Sequence, residues 1–157
     1  MRRRMAVIWV VVIFLVVGGA AIWYFALRPK PLSDREQIIN MVVKLEQAVE
    51  ERKVSEVMSY VASDYHDPQG YDRRLVQDLV IGALRQSASI DIVSQIKDIQ
   101  IQDDTATLKL EVDYAIGAPV GAGETSHISP IATLRREHGG WKIVSATGWQ
   151  QAATGEL

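Results

Sequence analysis

The spacing of apolar residues changes once along this chain, near Ser89, and that change constrains the fold more than any other feature. Before it, apolar side chains recur every three or four positions: Ile38, Val42, Leu45 and Val49, with Ile39 and Val43 widening the stripe. This is the repeat of an amphipathic helix. After it, Ala106, Leu108, Leu110, Val112, Tyr114 and Ile116 alternate with Thr107, Lys109, Glu111, Asp113 and Ala115. Strict alternation means a strand with one face in a core and one in water, as in an antiparallel sheet. Helices followed by strands predict an α+β domain in which three helices cover the apolar face of the sheet, since no other element is left to do so.

Local signals place the boundaries. Ser33 with Glu36 three residues on reads as a capping box, and Asp34 suits the positive end of the helix dipole. Lys44, Glu46, Glu50 and Glu51 fall on the opposite, polar face of that first helix. Ser55 is the candidate cap of a shorter helix through Val57, Met58, Val61 and Ala62. Asp72 then caps a third, with Leu75, Val76, Leu79, Val80 and Leu84 as its apolar face. Ile90 and Ile92 begin one strand, Ile99 and Ile101 mark the next, and Gln102-Asp103-Asp104-Thr105 is a turn. Residues 117–130 are expected as a flexible loop. Residues 131–136 and 141–149 then form a last hairpin through Glu137-His138-Gly139-Gly140, with Trp141, Ile143, Ser145, Thr147 and Trp149 on one face.

Residues 6–27, AVIWVVVIFLVVGGAAIWYFAL, contain no charge. As a helix they would extend about 33 Å, enough to cross a hydrocarbon core of about 30 Å. Arg2, Arg3 and Arg4 precede the run, while Arg28 and Lys30 after it are soon joined by Asp34 and Glu36. This bias predicts a cytoplasmic basic tail (1–5), a transmembrane helix (6–27), a stiff R-P-K-P-containing linker (28–33) and an exported domain (34–150), followed by a disordered tail (151–157). The expected location is the bacterial inner membrane, single-pass, with the C-terminal domain extracytoplasmic. Gly18 and Ala20 offer the small residues of a signal-peptide cleavage site, but the apolar run continues seven residues beyond Ala20. Without cysteine, neither disulfides nor a lipoprotein anchor is available. Beyond Lys30 twelve basic residues face all 19 acidic ones, a formal charge of −7. An acidic domain argues against nucleic acid as a partner.

One stretch concentrates polar chemistry: S-D-Y-H-D-P-Q-G-Y-D, residues 63–72, with one histidine, three carboxylates and two tyrosines. It reads either as the lining of a site or as a solvated turn that Asp67 initiates before Pro68. Neighbours in an extended segment point apart, so His66 and Asp67 are not a ready-made dyad. His127 and His138 lie far apart in the sequence without metal-ligand spacing. Gly117, Gly121 and Gly123 lack the strand–loop–helix context of a phosphate loop. No metal and no cofactor is therefore expected.

The first helix, the M-S-Y-V-A-S-D-Y-H-D segment, the D-R-R-L-V-Q-D-L-V helix and the ending L-R-R-E-H-G-G-W-K-I-V-S-A-T-G-W together resemble the nuclear transport factor 2-like (cystatin-like) superfamily. The likeness covers roughly residues 34–150. It implies a strongly curved antiparallel sheet wrapped around a helix, a cone with a cavity at its wide end. Enzymes of this superfamily, ketosteroid isomerase-like and polyketide cyclase-like, set a carboxylate or histidine inside that cavity as a proton shuttle, with tyrosines as donors. On this chain the resemblance implies His66 or Asp67 as the catalytic candidates. It implies Tyr60, Tyr65, Tyr71, Tyr114 and Trp149 as lining of a pocket for a small apolar ligand. The Tyr-Asp-Asp arrangement of the isomerases has no residue-by-residue counterpart. Many members are non-catalytic, and cone domains commonly pair through the polar sheet face, here Lys109, Glu111, Asp113 and Arg135. Members with a membrane anchor resemble assembly subunits of bacterial envelope machines. The expectation is a non-catalytic binding or assembly module that pairs with itself or an envelope protein; the alternative is a membrane-tethered isomerase, dehydratase or cyclase.

Overall fold

The computed structural model describes residues 32–87, 89–117 and 124–149. The basic tail, the apolar span, most of the linker and the C-terminal tail lie outside them. Among the described residues no helix is long and apolar enough to cross a membrane.

Helix α1 (Asp34–Glu50) starts at the expected capping box. The Ser33 hydroxyl accepts from the Glu36 amide, and the Glu36 carboxylate accepts from the Ser33 amide at 2.7 Å. Such a cap is worth about 1 kcal/mol. The helix buries Ile38, Met41, Val42 and Ala48. Ile39 and Val43 were expected to widen this stripe, yet they stand 37% and 54% exposed. Each sits one residue, about 100° of rotation, beyond the narrow face that meets the sheet.

Helix α2 (Val54–Ser59) begins one residue before the expected cap, after Lys53, which makes no side-chain capping bond. The chain reaches it through Arg52 in a left-handed conformation, φ 58°. Val61 and Ala62 are not part of this helix. After the helix the backbone bonds to the last strand: Ile143 donates to Tyr60, Ala62 to Ile143 and His66 to Val144, with a turn at residues 63–64 between them. Helix α3 (Arg73–Gln86) starts at Asp72, whose carboxylate accepts from the Leu75 amide at 2.8 Å. Leu84 is buried, but Leu75, placed on the apolar face by its spacing, is 43% exposed.

The strands are β1 (Ser89–Gln102), β2 (Thr105–Gly117), β3 (Glu124–Ile128), β4 (Ile131–Glu137) and β5 (Gly140–Thr147). They form one antiparallel sheet in the order β1-β2-β4-β5, with β3 also paired to β2. Residues 105–109 of β2 face β4 and residues 112–116 face β3, so β3 and β4 follow one another along the same side.

The sheet departs from expectation in three places. The two strands expected around Ile90–Ile92 and Ile99–Ile101 are one strand, interrupted by a bulge. Ile96 pairs with Leu110 and Asp98 with Lys109, leaving Lys97 as an extra residue. A bulge resets the alternation without ending the strand, which is why the inward positions move from even to odd numbers. Second, residues 124–128, expected within a loop, pair with β2 as a strand. Third, Leu134 pairs with Ile143 but Thr133 with Ser145, so Val144 is a second bulge. Beyond it Ala146, rather than Ser145 or Thr147, packs on the core beside Ile143.

The core forms where α1 crosses the sheet: Ile38, Met41 and Val42 meet Ile99, Ala106, Leu108, Ala132, Leu134 and Trp141. Arg136 stacks on the Trp141 ring, 4.8 Å from its centroid, and pairs with Asp34 and Asp104. The outer edge of β1 is met by α1. Glu46 accepts from the Ser94 amide at 2.6 Å, and Glu50 from the Ile92 amide at 3.4 Å. Four residues of helix rise about 6 Å and two residues of strand about 6.7 Å, so one helical turn matches one strand repeat.

Candidate functional site

The polar decapeptide is a closed loop against the end of β5. His66 and Asp72 bridge its two ends in antiparallel fashion, and the Asp67 amide donates to the Tyr71 carbonyl. Gly70, at φ 91°, makes the reversal that a side chain would strain. The organising group is Asp67. Its Oδ1 accepts from the amides of Gln69 at 3.0 Å and Tyr71 at 2.9 Å, and its Oδ2 from the Tyr65 hydroxyl at 3.3 Å. At 1% exposure it is buried, not the solvated turn residue that the Asp-Pro pair suggests. A carboxylate placed there without donors would cost several kcal/mol, and these bonds offset that.

The ring of Tyr65 is buried as well, at 4%. Burial, and then the negative charge of Asp67, push its phenol up to about 12. The Trp149 indole N–H lies close enough to offset part of that rise, but it makes no hydrogen bond of normal geometry. Trp149 and Tyr71 meet edge to face, with ring centroids 5.3 Å apart. Arg73 ties the loop to α2 and to the segment after it by donating to the carbonyls of Met58 and Val61. Four of the residues named from the sequence therefore come together: Tyr65, Asp67, Tyr71 and Trp149.

The others do not join them in any hydrogen bond or ring contact. His66 is exposed. Tyr60 packs against the core cluster, where burial and the Glu56 carboxylate raise its phenol above the ordinary value. Tyr114 is half-buried on the inner side of β2, between Ile92 of β1 and Ser126 of β3. Among the described residues no group of three His, Cys, Asp or Glu side chains is disposed to hold a metal ion.

The polar sheet face carries the other candidates. Lys109 and Asp113 are exposed, while Glu111 and Arg135 are partly covered. Glu111 pairs with Lys97, the bulge residue, and Asp113 with Nδ1 of His127 at 2.7 Å. Arg135 grips Asp64 through both terminal nitrogens, at 2.7 and 3.1 Å, and also bonds Glu137. Its guanidinium holds the Asp64 carboxyl below the usual carboxylate range. Val93 and Ile131, 61% and 43% exposed, add apolar surface to the same face. The Asp64–Arg135 fork, the Lys97–Glu111 pair and the Glu46–Glu50 clamp were not evident from the sequence. Only the four-residue spacing of the two glutamates hinted at a shared role.

No family model matches the chain, and no curated protein matches it in sequence. Solved structures do. A conserved protein of Planctomyces limnophilus superposes with a TM-score of 0.66 at 14% identity, over 72% of this chain and 92% of the other. A candidate dehydratase of the nuclear transport factor 2-like family from Streptomyces avermitilis gives 0.64 at 17% identity, over 72% and 93%. A cystatin-like protein of unknown function from Nostoc punctiforme gives 0.59 at 16% identity, over 72% and 87%. At these identities the likeness is one of fold. The described chain thus has the cystatin-like α+β fold of the nuclear transport factor 2-like proteins.

Proposed function

We propose that this chain is a membrane-anchored, extracytoplasmic module of the bacterial cell envelope whose domain binds a partner or a small apolar ligand without catalysing a reaction. Residues 6–27 form the single-pass anchor in the inner membrane, with the N-terminus cytoplasmic. The observation that carries the non-catalytic reading is Asp67. Its carboxylate already serves three donors inside a turn. His66 next to it faces water. A proton shuttle must reach its substrate, and this buried aspartate commits three of a carboxylate's roughly four acceptor sites to the fold.

Homodimerisation through the polar sheet face fits the mixed charges and the exposed Val93 and Ile131 there. The reading is tested in two steps. Reporter fusions after Arg4 and after Trp149 should give cytoplasmic and extracytoplasmic signals respectively, and the reverse would refute the anchor. Glu111→Lys with Arg135→Glu should shift sedimentation of the full chain in detergent towards the monomer, while an unchanged profile would rule that face out.

The alternative is a membrane-tethered isomerase, dehydratase or cyclase acting on a small apolar ligand. The observation in its favour is a protonated Tyr65 phenol bonded to Asp67 beside Trp149. The candidate dehydratases with this fold point the same way. Turnover of a hydroxylated cyclic ketone by the full chain, lost in Tyr65→Phe, would establish it in place of the binding role.

A further inference from the structure

Leu75 and Leu84 lie nine residues apart on α3, half a turn round the helix at about 100° per residue. Leu84 is buried towards the domain, and Leu75, on the far side, is 43% exposed. That far side is nonetheless apolar. Leu75, Leu79, Gly82 and Gln86 follow one another at steps of four, three and four residues, the seam spacing of paired helices. Val76 and the exposed Ala83 border the seam on one flank, the exposed Asp78 and Arg85 on the other. Neither Asp78 nor Arg85 forms an ion pair with another described residue. A Cβ built on Gly82 would meet no described atom within 4 Å, so a neighbour can approach the backbone closely there.

We infer that α3 is a pairing surface on which two copies of this chain meet helix to helix, antiparallel, about a two-fold axis. In such a pair residue i meets j wherever j meets i. Setting Leu79 of each copy over Gly82 of the other brings Asp78 of each to Arg85 of the other. Opposite charges then face each other on one flank, and Val76 meets Ala83 on the other. In a parallel pair Asp78 would fall beside Ala83 instead, and its charge would be left alone. The exposed Ile39 and Val43 of α1 suit a second copy less well, because Glu36, Glu46 and Glu50 surround them and like charges would meet. A seam of about three turns is short. Here the inference rests on the anchor proposed above, since copies held in one membrane meet at a raised effective concentration. With the sheet face as well, each copy would carry two self-complementary faces, enough to string copies into a row.

The chain has no cysteine, so a cross-linker can be aimed at single sites. Full-length Asp78→Cys and Arg85→Cys chains are mixed in lipid vesicles and treated with a bismaleimide of about 10 Å reach, the spacing of packed helix axes. The mixture should give about fivefold more cross-linked dimer than either chain alone, whose two cysteines would lie about 10 Å out of level along the axis. Adding Gly82→Arg to both chains should remove that excess, because the side chain blocks the close approach. It should not lower the melting temperature, since a helix tolerates arginine better than glycine. A mixture that cross-links no better than its components would overturn the proposal, as would an excess that survives Gly82→Arg. Pairing through the sheet face raises all samples alike, and flotation of the vesicles tests the anchor separately, so each of those readings fails by itself.

Discussion

Asp67 holds its loop by accepting from two backbone amides and a phenol, and removing it strands all three donors. Asp67→Ala should therefore destabilise the domain by about 2–4 kcal/mol, measured by denaturant unfolding. Asp67→Asn keeps one oxygen for the Gln69 and Tyr71 amides and should cost less, about 1 kcal/mol. A catalytic aspartate gives the opposite pattern, with activity lost and stability kept or raised. Tyr65 adds a pH signature. Its phenol is raised to about 12 in the fold against about 10 unfolded, so the stability it contributes is complete below about pH 10. Above that the unfolded chain ionises first, and the contribution fades as pH climbs through the folded value. Thermal melts of the parent should fall between about pH 10 and 12 more steeply than those of Tyr65→Phe.

At the scale of elements, the two bulges explain most of the distance between sequence and structure. The capping box at Ser33, the Asp72 cap and the run from Ala106 to Ile116 were readable because each is a local pattern with one structural solution. Lys97 left a trace, the shift of apolar residues from even to odd positions, but a phase shift looks the same whether a strand bulges or ends. Val144 left none, since the residues that follow it, Ser145, Ala146 and Thr147, are small or polar on both faces. β3 was hidden by its flanks of glycine and proline, and its five residues pair only because β2 runs past β4. At the site, the spacing of the decapeptide gave its closure as a turn. It could not give the burial of Asp67, which depends on β5 and Trp149 arriving from 70 or more residues away. Deleting Lys97 tests this reading directly. Without it the alternation cannot reset, so either Ile90 and Ile92 or Ile99 and Ile101 must turn outward. The deletion should cost at least 3 kcal/mol, whereas Lys97→Ala, which keeps the extra residue, should cost under 1 kcal/mol.

Across the whole domain, three separate stretches are joined by charge rather than by the core. Arg136 of β4 reaches Asp34 at the start of α1 and Asp104 in the β1–β2 turn, while Arg135 reaches Asp64 in the segment that covers β5. Taken one at a time such surface pairs contribute little, about 0–1 kcal/mol. Together they fasten the start of the first helix and the edge cover to one strand, and all depend on ionised carboxylates. Arg135 holds the Asp64 carboxyl below its ordinary range, and bonds from Ser33 do the same for Glu36 at the capping box. A lowered folded value means that the contribution is present above the unfolded value, about pH 4, and is lost as pH falls through the folded one. The domain should therefore lose stability progressively below about pH 4.5. Asp64→Asn should lower the melting temperature at neutral pH but flatten this acid limb, so that parent and variant converge near pH 2. A constant offset between the two curves from pH 7 to 2 would show that Asp64 acts through packing, and that the edge cover is held by its backbone bonds alone.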